Sequence, residues 1–105
     1  MQQNGYFLRM LVIGCLFSAI TGCEMNSRGA QVYQNNRCKE CHTLKGKGGS
    51  SGPNLTYIGG KRSREYILEQ IKNPKSHNAN SDMPSFSHLP VQDINDLADY
   101  LSGLK

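Results

Sequence analysis

At 105 residues the chain has room for one domain and a targeting segment. Twelve Lys and Arg against eight Asp and Glu give a formal net charge of +4 and a pI near 9.0. No stretch interleaves aromatic with basic residues, so a nucleic-acid partner is not expected and the basic residues read as solvated surface.

The first positive charge is Arg9, followed by an apolar run from Met10 to Ile20. That run suits a secretory signal and falls short of the about 20 residues needed to span a bilayer. Ile20-Thr21-Gly22-Cys23 resembles a bacterial lipobox, in which an aliphatic residue and two small ones precede the cysteine that becomes the lipidated N-terminus. The resemblance implies that residues 1–22 are a cleaved lipoprotein-type signal and Cys23 a lipid anchor. Val12-Ile13-Gly14-Cys15 fits the same pattern but would leave too short an apolar region. Ordinary cleavage with release, or an uncleaved signal acting as anchor, remain the alternatives, and every version exports the chain. Removing residues 1–22 takes away Arg9 alone and leaves a formal charge of +3.

Residues 23–29 read as a lipidated, polar tether, and the folded unit is expected over residues 30–105. A short helix is predicted from Ala30 to Arg37, continuing or turning into Cys38-Lys39-Glu40-Cys41-His42. This C-x-x-C-H run is the pattern of covalent c-type haem attachment. In a helical turn thiols at i and i+3 share a face, where each can form a thioether with a haem vinyl group. His42 then lies under the porphyrin as the proximal iron ligand. Two close thiols also serve zinc sites and thioredoxin-like redox pairs. A zinc site wants four ligands, and the other cysteines, Cys15 and Cys23, belong to the N-terminal segment. A redox pair wants a βαβ setting, which the residues around Cys38 do not suggest. With Cys38 and Cys41 bound to haem and Cys23 to lipid, no cysteine of the mature chain is left for a disulfide.

From Leu44 to Gly60 the chain is rich in glycine, and Lys45 to Gly52 is predicted to be a flexible loop. It lacks the spacing and the preceding strand of a phosphate-binding loop. Ser63 is a good N-cap for a helix through Tyr66, Ile67, Leu68 and Ile71 to Asn73, stopped by Pro74. Pro74 to Phe86 is predicted to be irregular. The last helix, Val91 to Leu101, carries Ile94, Leu97, Ala98 and Leu101 on one face and Asp93 in its first turn, and Gly103 ends it. Three short helices with long loops hold too little apolar bulk to fold without a staple, and haem would supply one.

With Gly52-Pro53-Asn54-Leu55, a middle helix ending at Asn73-Pro74, Met83-Pro84, and a last helix ending in Tyr100-Leu101, residues 29–105 resemble a small class I c-type cytochrome. The resemblance implies an all-α fold of three main short helices and long loops wrapped around one covalent haem. It implies His42 and Met83 as the two axial iron ligands and the Pro53 carbonyl as acceptor of the other ring N–H of His42. Pro84 supports Met83 independently, because it biases the preceding residue to the extended backbone of a presenting loop. His77, His88 or an open site are the alternatives at the sixth position. Gly29, Tyr33 and Tyr100 match a close crossing of the first and last helices. Leu55, Tyr57, Ile67, Leu68, Ile71, Phe86, Leu97 and Leu101 are pocket or core candidates, and Tyr57, Lys61 or Arg62 can reach a haem propionate. The chain departs from the family in having no tryptophan and in the longer glycine-rich loop.

The expected function is one-electron transfer by an exported carrier on a membrane, facing the periplasm or the cell exterior. Its partners would be redox proteins, with no small-molecule substrate. No paired carboxylates or nucleophile with a base calls for an enzyme. The alternatives are a fixed haem subunit of a larger oxidase or reductase, and a haem enzyme or gas sensor with an open sixth site.

Overall fold

The computed structural model describes residues 27–105. The expected signal, Cys23 and most of the tether lie outside the described residues. Four helices carry the fold: α1 (Arg28–Asn35), α2 (Ile58–Lys61), α3 (Arg64–Lys72) and α4 (Val91–Ser102). A two-residue ladder joins β1 (Thr43–Leu44) to β2 (Lys47–Gly48), antiparallel, with Thr43 opposite Gly48 and Leu44 opposite Lys47. Among the described residues no helix is long and apolar enough to cross a membrane.

Helix α1 starts and stops two residues earlier than the apolar pattern indicates. Its N-cap is Ser27, whose hydroxyl accepts from the Ala30 N–H at 3.2 Å. Arg28 and Gly29 are therefore helical and not tether, and Gly29 is buried. The helix ends because Arg37 takes a left-handed conformation, φ 60°. Helix α3 begins as its sequence indicates, with the Ser63 hydroxyl accepting from the Tyr66 N–H at 3.1 Å. Helix α4 runs one residue beyond Leu101 and is capped by Gly103.

The core lies where α4 packs across α1 and α3. Val32 and Tyr33, Ile67 and Ile71, and Ile94, Leu97, Ala98 and Leu101 meet there. Burying a side chain such as Leu97, 2% exposed, contributes about 1.5–3 kcal/mol. Gly29 permits the α1–α4 crossing, since a Cβ there would collide with the Asp96 carbonyl oxygen and the Tyr100 Cβ. Tyr33 and Tyr100 then sit with ring centroids 6.2 Å apart. Ion pairs tie the outer surface of α4 to its neighbours: Arg28 with Asp93 at 2.6 Å and with Asp96 at 3.6 Å, and Arg64 with Asp99 at 2.6 Å.

The glycine-rich segment is not a flexible loop. Lys45 and Gly46 both have positive φ, as the tight turn of a two-residue hairpin requires. The Gly49 N–H donates to the Lys39 carbonyl at 2.8 Å and the Gly52 N–H to the Cys41 carbonyl at 2.7 Å. Thr43 Oγ1 donates to the Gly49 carbonyl at 2.7 Å. These bonds fold the segment back over Cys38–His42. Helix α2 and a 3₁₀ turn at Pro74–Ser76 are further short elements in stretches too brief for a periodic signal.

Candidate haem site

Cys38–Glu40 form a 3₁₀ turn, and the Cys41 and His42 N–H groups both point back to the Cys38 carbonyl, at 3.3 and 3.0 Å. A 3₁₀ turn has about three residues per turn, so positions i and i+3 eclipse, and the spacing of Cys38 and Cys41 matches that repeat. Neither is part of a disulfide among the described residues. Cys38 packs half-buried against the core while Cys41 is exposed. Burial pushes the Cys38 thiol up to about 11, and Cys41 adds to the rise although a backbone hydrogen bond opposes it. Cys38 is thus a neutral thiol until it reacts.

His42 follows at the end of this turn, its Nδ1 2.7 Å from the Pro53 carbonyl oxygen. A carbonyl only accepts, so Nδ1 carries the proton and Nε2 keeps its lone pair for a metal. Gly52 makes room for the ring: a Cβ there would lie 2.7 Å from His42 Cε1 and 2.9 Å from Nδ1.

Met83 is half-buried in the loop after α3. That loop is pinned to the end of α3 by the Ser85 hydroxyl, which donates to the Lys72 carbonyl at 2.5 Å, and by the Phe86 N–H, which donates to the Ile71 carbonyl at 2.9 Å. Gln70 of α3 donates through Nε2 to the Met83 sulfur at 3.5 Å. Nothing in the sequence marks Gln70, because its partner is thirteen residues away in a loop of no fixed period.

Of the pocket and core candidates, Ile67, Ile71, Leu97 and Leu101 are buried, and Leu55, Leu68 and Phe86 pack half-exposed against them. Tyr57 is not a core residue. It is 62% exposed, at the N-cap position of the short helix α2. Lys61 and Arg62 are exposed as well, and the Arg62 guanidinium lies 4.5 Å over the Tyr66 ring. His77 is stacked flat on the same Tyr66 ring, with centroids 3.8 Å apart and planes 4° from parallel. His88 is exposed, beside the Phe86 ring at 6.2 Å.

Two thiols on one turn, an imidazole with its outer nitrogen already engaged, and half-exposed apolar side chains around them make a donor set suited to a covalent haem. The sequence model of the family described as Cytochrome c matches residues 27–105. This chain belongs to the cytochrome c family. The cytochrome c domain occupies all of the described residues, and its cofactor is covalently bound haem c. The chain is also similar to a protein named cytochrome c oxidase subunit 2, from Alkalihalophilus pseudofirmus, at 30% identity over 87 residues. The match covers 75% of this chain and 25% of that relative, so the cytochrome c described here spans about a quarter of the relative's length.

Proposed function

We propose that this cytochrome c is an exported, membrane-tethered electron carrier. Bound through Cys38 and Cys41, the haem would supply a one-electron ferric/ferrous couple, with His42 and Met83 as the axial ligands. The reading is carried by the 2.7 Å contact of His42 Nδ1 with the Pro53 carbonyl. That contact fixes the tautomer and strengthens Nε2 as a donor, which is what an axial imidazole requires. The bonds from Ser85 and Phe86 to α3 hold the Met83 loop in one position, as an electron carrier needs for ligation that stays the same in both oxidation states. His77, held between the Tyr66 ring and the Gln70 amide, is the alternative at the sixth position.

A pyridine haemochrome spectrum and a redox titration of membrane-extracted protein test this function. One covalent haem and a single one-electron wave are expected, and protein without covalent haem would end the reading. In Met83→Ala the sulfur-to-iron charge-transfer band of the ferric form disappears and carbon monoxide binds rapidly to the ferrous form. A native protein that already binds carbon monoxide rapidly would favour the open-site alternative. For the tether, Cys23→Ser is expected to release the chain from membranes, and the mass of the N-terminal peptide reads the lipid directly. A second reading, a haem subunit docked to a terminal oxidase, draws on the relative's name. Co-purification of an oxidase in mild detergent separates it from a free carrier.

A further inference from the structure

We propose that Gln70 and His77 are positioning residues for the Met83 sulfur, Gln70 as its hydrogen-bond donor and His77 as the group that decides which end of the Gln70 amide faces it. The proposal rests on Met83 as an axial ligand. Gln70 Nε2 lies 3.5 Å from the sulfur, and Gln70 Oε1 lies 2.8 Å from His77 Nδ1. The two ends of an amide are chemically opposite, and only the NH₂ end can donate to a thioether. With the oxygen turned toward Met83, lone pairs would face lone pairs. The amide is held the productive way only if Oε1 has a donor on its far side, and His77 Nδ1–H is that donor.

His77 is itself fixed. Its ring lies on Tyr66 with centroids 3.8 Å apart and planes 4° from parallel, and its backbone N–H closes the Pro74–Ser76 turn on the Pro74 carbonyl at 3.3 Å. Tyr66 carries the Arg62 guanidinium over its ring at 4.5 Å. Tyr66 and Gln70 are one turn apart on α3, so the helix spaces the stack and the amide to match the two atoms of His77 they meet. The Met83 loop is tied to the end of the same helix. An N–H donor draws electron density from the sulfur, weakens its donation to ferric iron and raises the reduction potential.

The test uses haem-loaded, membrane-extracted protein, with the reduction potential and the sulfur-to-iron charge-transfer band as readouts. Gln70→Met keeps side-chain bulk and removes the donor, and Gln70→Glu keeps shape and replaces the donor with an acceptor. Both are expected to lower the potential and shift the band, Gln70→Glu further. Their helical circular dichroism should match the wild type, and the second variant carries the test if the first does not load haem. His77→Phe preserves the stack on Tyr66 and is expected to lower the potential less. In the Gln70→Met background His77→Phe should do nothing further, the coupling expected of residues that act through one contact. Unchanged potentials in the Gln70 variants, or a His77→Phe effect that persists without Gln70, would overturn the proposal while leaving Met83 in place. A wild-type protein without the charge-transfer band would instead overturn Met83 as ligand, and the proposal with it.

Discussion

Replacing Gly52 by Ala tests the geometry of His42 with a single methyl group. The added Cβ would lie 2.7 Å from Cε1 and 2.9 Å from Nδ1 of the ring. Carbon atoms in favourable contact sit about 3.5–4.0 Å apart, so ring or chain must give by roughly 1 Å. The Cys41 carbonyl, 3.3 Å from the same Cβ, and the Gly52 N–H bond to that carbonyl at 2.7 Å resist movement of the backbone. Overpacking of this kind costs about 1–3 kcal/mol. If the ring turns instead, the Nδ1–H bond to Pro53 is lost, at about 1 kcal/mol. We expect a loss of about 1–3 kcal/mol of stability in denaturant unfolding of the haem-loaded protein. A lower reduction potential should accompany it, because a misdirected imidazole changes its donation to iron. Gly52→Ala with native stability and native potential would refute the argument that Gly52 and Pro53 together orient His42.

Gly29→Ala sets a gain of about 1 kcal/mol in helix propensity against a collision with Asp96 and Tyr100, and overpacking wins. The expected net loss is about 1–3 kcal/mol in urea unfolding, with Gly29→Val worse. Tyr33 is 5% exposed and its hydroxyl has no hydrogen-bond partner among the described residues, so Tyr33→Phe should leave neutral-pH stability unchanged or raise it by about 1 kcal/mol. Burial pushes the Tyr33 phenol from 10.0 to about 12, favouring the neutral form in the folded state. Its contribution is complete below pH 10 and is lost as pH rises through 12, so the wild type should lose stability relative to Tyr33→Phe across that window in paired alkaline unfolding titrations. Arg64→Ala breaks the pair with Asp99, which is 63% exposed, and should cost less than about 1 kcal/mol, shrinking further at high salt.

The residues that announced this protein's chemistry are neighbours in the chain. Cys38, Cys41 and His42 declare a covalent haem because attachment needs two thiols and an imidazole within one turn, and that requirement is local. Helix α4 was equally legible, since its buried face repeats with the period of the helix, and Ser63 marked the start of α3 through a bond that spans three residues. The Gly29 crossing and the Pro53 acceptor were accessible only through resemblance to a family, because nothing local specifies which element they meet.

What tertiary structure alone decided are contacts between distant residues with no shared period. The order of the glycine-rich segment comes from backbone bonds to Lys39 and Cys41, and backbone groups are the same in every sequence. Tyr57 reads as a pocket or core candidate by residue type, and the fold sets it at the N-cap position of α2, 62% exposed and apart from the packed core. Gln70 reads as an ordinary helix residue until the loop after α3 brings a sulfur to one end of its amide and an imidazole to the other. The sequence by itself determined which cofactor the chain takes, because covalent attachment is written in adjacent side chains. The tertiary structure determined which groups hold and orient the candidate ligands, because those hydrogen bonds close only when the loops fold back on the helices.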